Sequence, residues 1–196
     1  MNTVSQILVY LLQTLGGLYL MVVLLRLMLQ IARADFYNPL SQFIVKATNP
    51  VLMPLRKVIP GLMGVDFASI VLALIVAISL GQLVLILSGY GFQNPFHLMA
   101  WGAVAVLASL ANLLFWSLII MVIASWVAPQ SYNPALLLIR QLLAPIMTPF
   151  QRLIPPMGGL DLSPIFVLLT LNIISSFIVP ALANSVAMPR GLFLGV

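Results

Sequence analysis

Apolar residues along this chain come in long unbroken blocks, and polar residues come in short knots between them. Four blocks, roughly residues 4–27, 67–88, 99–127 and 162–186, carry almost no charge, and from Phe67 to Ile139 there is not one Asp, Glu, Lys or Arg. A helix rises about 1.5 Å per residue and a bilayer's hydrocarbon core is about 30 Å thick, so about 20 apolar residues cross it. Membrane β-strands would alternate apolar and polar positions over about ten residues. Here "LVYLLQTLGGLYLMVVLL" (8–25) and "SIVLALIVAISL" (69–80) are continuous. The pattern predicts an all-α membrane protein with four transmembrane helices. The first block is expected to remain as a span rather than be cleaved as a signal peptide, because "MNTVSQ" has no basic residue and the apolar run is long enough to cross.

The knots between blocks repeat. "YNPLSQFIVKATNPVLMPLRKVIPGLMGVD" begins at Tyr37 and "YNPALLLIRQLLAPIMTPFQRLIPPMGGLD" begins 95 positions later at Tyr132, with no gap between the two alignments. Asn38, Pro39, Pro50, Pro54, Pro60 and Asp66 match Asn133, Pro134, Pro145, Pro149, Pro155 and Asp161, and Lys57 matches Arg152. The chain thus divides into a first repeat, 1–95, with a basic connector at 32–66, and a second, 96–196, with a connector at 128–161. Two spans per repeat return the chain to its starting side, so the repeats are expected to insert in parallel, unlike inverted transporter repeats. The connectors hold Arg33, Lys46, Arg56, Lys57, Arg140 and Arg152, while the opposite side offers only Arg190. Short cytoplasmic loops accumulate Lys and Arg, which predicts the connectors on the cytoplasmic side and both termini on the opposite side.

Within each connector, Asn-Pro reads as a helix start, since Asn caps free N–H groups and proline suits the first helical position. Leu40, Phe43, Ile44 and Ala47 then share one face. Pro50 and Pro145 are expected to divide each connector into two short amphipathic helices, because proline removes a hydrogen bond and crowds the preceding turn. Pieces of about ten residues could lie at the interface or dive to the midplane. A cation at bilayer centre costs at least about 2.5 kcal/mol, so the interfacial position is favoured. Lys46, Arg56, Lys57, Arg140 and Arg152 become the candidate groups for docking anionic headgroups or a partner.

Composition removes most chemistry. The 196 residues are 63% hydrophobic and 6% charged, with no cysteine and one histidine. Disulfides, thiolate metal centres and thioether haem attachment are excluded, and a lone His97 does not make a zinc site. No nucleophile–base set, P-loop or dinucleotide glycine pattern is present. No enzyme, cofactor or nucleic-acid binding is expected; the net charge of +5 suits anionic lipid. Asp66 and Asp161 are read as caps of the second span in each repeat, with a proton or cation site as the alternative. Arg26 is placed near a span end and expected to snorkel. Gln13, Gln82, Asn112 and Asn172 are expected to bond between helices.

The duplicated "YNP … P … K/R … IP … G … D" between hydrophobic spans resembles the YggT family of bacterial membrane proteins and related plastid proteins, here as two tandem units. The second unit departs from the first at Ala144 for Asn49, Gln151 for Arg56 and Pro156 for Gly61. The resemblance implies a link to osmotic-stress tolerance, with relatives tied to division, nucleoid organisation or assembly of a haem-bearing cytochrome. The function expected is a non-enzymatic scaffold or assembly factor with a membrane or cytoplasmic protein partner, self-association being open. The alternative is a small ion or solute permease.

Overall fold

In the computed structural model, which describes residues 2–61, 65–154 and 161–194, the chain is helical throughout, with no strand among the described residues. Four helices are long and apolar enough to cross a membrane: α1 (Thr3–Ile31), α3 (Phe67–Leu87), α4 (Pro95–Val127) and a composite fourth span from Ser163 to Ser185. The connectors form α2 (Pro39–Val58) and α5 (Pro134–Leu153). The protein is a multi-pass membrane protein of two repeat-like helical units.

Helix starts follow local chemistry. Asn38, Asn94 and Asn133 each accept a hydrogen bond from the amide two residues on, at 2.9 Å, with proline at the first helical position. The proline has no amide to lose there, and the asparagine satisfies one of the free donors. Asn94-Pro95 is the reason α4 starts four residues ahead of the apolar block that predicted it. At the far end of α3, Gly89 takes φ 86°, which lets Tyr90 N–H close on the carbonyl of Leu85 at 2.9 Å and turns the chain toward α4.

Each connector is one twenty-residue helix, where two short ones were expected. Pro50 and Pro54 lie inside α2, and Pro145 and Pro149 inside α5. These four prolines are exposed, whereas Ile44, Thr48 and Leu52 of α2 and Leu143 and Met147 of α5 are buried. The carbonyls that lose a donor therefore lie on the outward side, away from the packed face. Anchoring of the inner face holds the helix together despite the missing bonds, as tertiary packing commonly overrides propensity. The fourth span answers its proline differently. A π-helical turn at Ile174–Ile178 joins α6 (Ser163–Ile173) to α7 (Val179–Ser185), just ahead of Pro180, and widening the turn accommodates the ring and the missing N–H.

Packing is layered. α3 packs on α1 and α4; α4 also carries α5, α6 and α7; α2 lies on α1, α3 and α5. Two large apolar cores result, with a smaller one of Val104, Ala108 and Val179 between α4 and α7. One joins Leu20 and Leu24 of α1 to Leu72 and Ala77 of α3 and Trp101 of α4; the other, nearer the connectors, joins Leu29, Ile44, Leu118, Leu143 and Val167. α3 and α4 come close at Gly102, where an added Cβ would stand 2.9 Å from Ile78 Cγ1.

The tail was not foreseen. Beyond α7 the chain folds back so that Leu192 and Phe193 are buried in the first core, with Phe193 against Gly81 of α3. Gln13 of α1 donates to the carbonyls of Gly191 and Leu192 at 2.7 and 3.1 Å, and Trp101 Nε1 donates to Val186 O at 2.9 Å. Gln82 likewise bonds the α3–α4 turn, donating to Gly91 O and accepting from Gln93 N–H. These amides hold non-helical backbone rather than bridge spans, which corrects the expectation for Gln13 and Gln82. The unpaired backbone of a turn is the costlier debt near hydrocarbon.

Gly102→Val should destabilise the protein by about 1–3 kcal/mol through overpacking. Gly17, whose added Cβ meets nothing within 4 Å, should tolerate Ala and gain up to about 1 kcal/mol of helix propensity. Thermal unfolding of both variants in detergent checks the contrast.

Candidate functional site

α2 presents three faces. Ser41, Ile44, Thr48 and Leu52 point into the bundle and are buried. One flank, Leu40, Phe43, Val51 and Val58, is apolar and exposed. The other carries Gln42, Lys46, Asn49, Met53 and Lys57, and Lys46 and Lys57 are exposed. The predicted face of Leu40, Phe43, Ile44 and Ala47 is thus split, Ile44 turning inward while Leu40 and Phe43 stay outside. Lys46 and Lys57 border an open hollow of ≈ 590 Å³ floored by Pro50, Met53 and Pro54. The two prolines leave the carbonyls of Lys46 and Pro50 without an intrahelical donor on this side.

Arg56 behaves differently from its neighbours. Its guanidinium turns back to Asp66, with Nη2 donating to Oδ2 at 2.5 Å and Nε at 3.2 Å, and Nη2 also reaches Gln30 Oε1 on α1 at 3.3 Å. Ser69 Oγ donates to the same carboxylate oxygen at 2.5 Å. Asp66 stands at the cap position of α3, but its side chain makes no cap bond; the carboxylate serves the ion pair instead. Nearby, Arg26 is buried with its guanidinium 5.5 Å from the centre of the Phe36 ring. It is buried instead of reaching the headgroups, with the Phe36 π face beside it, and its Nε and Nη1 meet no hydrogen-bond partner among the described residues. Burial alone would raise the Asp66 carboxyl, yet the hydrogen bonds from Arg56 and Ser69 and the charges of Arg56 and Arg26 outweigh it and hold the pKa below its ordinary value. The first repeat is thereby pinned at one point from α1, α2 and α3.

The second repeat keeps the carboxylate and drops the charges around it. Gln151 donates to Asp161 Oδ2 at 2.9 Å, and Ser163 N–H donates to Oδ1 at 2.9 Å, so Asp161 holds the first amide of α6 from one position ahead of the cap residue, Leu162. Met121, Ser125 and Pro164 stand where the first repeat has Arg26, Gln30 and Ser69. Burial again opposes, and the bonds from Gln151 and Ser163 again lower, the carboxyl's pKa. A cavity of ≈ 480 Å³ opens here, bordered by Ser125, Arg140, Thr148, Gln151 and Asp161. Arg140 is half-buried and donates to Pro129 O at 3.3 Å, while Arg152 is exposed.

The connectors touch. Asn38 Nδ2 donates to Pro134 O at 2.7 Å, and Asp35 N–H bonds Gln141 Oε1 at 3.0 Å. Pro39, Pro60 and Pro134 are exposed at connector ends; Pro155, with Pro156, lies outside the described residues. Among the described residues no cluster of three His, Cys, Asp or Glu side chains could hold a metal. His97 is exposed and stacks with Trp101 at 5.7 Å. The arrangement offers binding groups, with no nucleophile set beside a base among the described residues.

A family profile described as CCB3/YggT matches this chain twice, at residues 5–87 and 100–182, in the same 95-residue frame as the prolines. The chain belongs to the CCB3/YggT family. A protein of Pseudomonas aeruginosa is 51% identical over 185 residues, covering 94% of each chain. The YggT protein of Escherichia coli K12 is 41% identical over 179 residues, 89% of this chain and 88% of its own, and a protein of Haemophilus influenzae is 34% identical over 164 residues, 84% of this chain and 87% of its own. No solved structure matches.

Asp66→Asn should cost about 3 kcal/mol, the low end for breaking a buried pair because Arg56 is partly solvated; Asp161→Asn, facing a neutral amide, should cost under about 1.5 kcal/mol. Because the folded Asp66 pKa is depressed, its contribution is full above the unfolded value and disappears as pH falls through the folded one. Unfolding of wild type and Asp66→Asn in detergent should therefore differ at neutral pH and converge in acid below the ordinary carboxyl range.

Proposed function

We propose that this CCB3/YggT-family protein is a non-enzymatic scaffold or assembly factor of the bacterial inner membrane that docks anionic lipid and a protein partner through its basic connectors. The observation that carries the reading is the division of α2 into an apolar exposed flank, Leu40, Phe43, Val51 and Val58, beside a cationic one with Lys46 and Lys57. A helix so divided suits the headgroup boundary, its apolar edge toward acyl chains and its cations toward phosphate. Lys46, Lys57, Arg140 and Arg152 are the docking groups in this reading; Arg56 is committed to Asp66.

Contact between the connectors supports placing both on one side, with the two units inserted in parallel. Their basic residues, against only Arg190 beyond the fourth span, favour the cytoplasm for that side and the periplasm for both termini. At least about 2.5 kcal/mol per cation argues against a re-entrant position. A role in osmotic-stress tolerance is the family-level expectation that such a platform would serve.

The competing permease reading draws on a cavity of ≈ 230 Å³ at the tail end, bordered by Gln13, Thr14, Ser109 and Asn112. Further toward the connectors, Val23 and Leu24 on α1 and Leu114 and Leu118 on α4 are buried and apolar, which favours a closed pocket. Proteoliposomes should show no ion or solute flux under an osmotic or ionic gradient; flux that depends on Asn112 would replace the scaffold reading.

Cysteines introduced as Lys46→Cys and Gln141→Cys should react with an impermeant thiol reagent from the cytoplasmic side alone. Photocrosslinkers in α2 and α5 should capture a partner in native membranes. At about 1 kcal/mol per basic group near an anionic leaflet, Lys57→Glu with Arg152→Glu should reduce that capture at least tenfold and weaken osmotic tolerance. Unchanged capture by a folded variant would count against docking through these groups.

A further inference from the structure

The two family units pack asymmetrically, and the asymmetry leaves one matching face open at each end. Inside the chain the second span of unit one, α3, lies along the first span of unit two, α4. Trp101, Gly102, Ala105 and Leu113 are buried on α4, and Ala77 on α3. If the units were related by a two-fold axis, the fourth span would lie against α1 in the same way. Among the described residues it does not: neither α6 nor α7 touches α1 or α3.

The 95-residue frame of the family match assigns the open faces. Residues of α1 equivalent to the α3-facing side of α4 are Ile7, Tyr10, Leu11, Leu15 and Leu18, each between 48% and 65% exposed. Residues of α6 equivalent to Ala77 and Ile78 are Asn172 and Ile173, both exposed, flanked by Leu169 and Phe177. Lipid would cover the apolar members equally well, but Asn172 places a carboxamide on the outer surface midway along a span, where hydrocarbon offers it no partner. Its equivalent, Ala77, is fully buried in the internal interface. Gln6 and Tyr10 stand on α1 where α4 has Trp101 and Ala105, so the open α1 face carries polar groups suited to an amide.

We propose that the chain associates head to tail with further copies of itself, the Leu169–Phe177 face of one copy packing on the Ile7–Leu18 face of the next as α3 packs on α4. The contact is heterologous and continues as a ring or an open chain of units in the membrane plane. Ile7 stands where Gly102 does, so the copies sit farther apart than α3 and α4, which leaves room for Asn172 to reach Gln6 or Tyr10. The proposal rests on parallel insertion of the two units.

The sequence has no cysteine, so engineered thiols report cleanly. Ile7→Cys and Ile173→Cys chains bearing different tags, co-expressed and oxidised in native membranes, should give a mixed dimer, with little adduct from either alone. The double variant should give a ladder, and Asn172→Leu should lower the mixed adduct severalfold. Adducts formed only between identical chains would show a two-fold contact and overturn the proposal, as would absence of any adduct, which would leave lipid on both faces. Labelling of Lys46→Cys and Gln141→Cys separates the outcomes: same-side labelling without a mixed adduct defeats head-to-tail association alone, whereas opposite-side labelling defeats parallel insertion and this proposal with it.

Discussion

A backbone amide or carbonyl without a partner in hydrocarbon costs several kcal/mol, so each end, bend and turn of a membrane helix has to be satisfied by something local. That constraint accounts for where this chain keeps much of its small polar content. Asparagine at 38, 94 and 133 closes helix starts, Gln82 holds the α3–α4 turn, and Gln13 holds the returning tail. The prolines obey it by facing outward, where the carbonyls they leave without a donor are not sealed in the core. Where a proline falls within a span, at Pro180, the backbone widens into a π turn instead.

The same frame is filled differently in the two units. In the first, Asp66 draws in Arg56 and Ser69, with Gln30 and Arg26 beside them, and the corner between α1, α2 and α3 closes around a charge pair. In the second, Gln151 and Ser163 satisfy Asp161 without a cation, and the corresponding corner stays open as a cavity. Burying charges is worthwhile only where partners are supplied, and the second unit has Gln151 and Met121 where the first has Arg56 and Arg26. The consequence is one unit locked by electrostatics and another held by apolar packing through Leu138, Leu142, Leu143 and Met147.

Much of the fold was legible because lipid simplifies the code. Length and continuity of apolar runs sufficed for four spans, and the Asn-Pro pairs marked connector starts, since capping acts over two or three residues. Proline misled at Pro50 and Pro145. Its local cost is visible in the letters, but whether the freed carbonyl faces outward or inward depends on which side of the helix is anchored. The candidate site divided along the same line. Lys46, Lys57 and Arg152 stay exposed as their sequence context suggests, whereas Arg56, adjacent to Lys57, turns inward because Asp66 lies ten residues away on the next element. Arg26 gave no sign of its burial, for the Phe36 ring beside it lies in a separate segment.

The sequence by itself determined the solvent, the number of spans, the tandem frame and the absence of cysteine chemistry, because each follows from composition or from spacing along one helix. Tertiary structure decided which connector face packs, which arginine pairs, how the tail is held by Gln13, and that α6 leaves α1 uncovered. Those outcomes depend on side chains brought together across tens of residues, and the angle at which one helix meets another is not written in either helix alone.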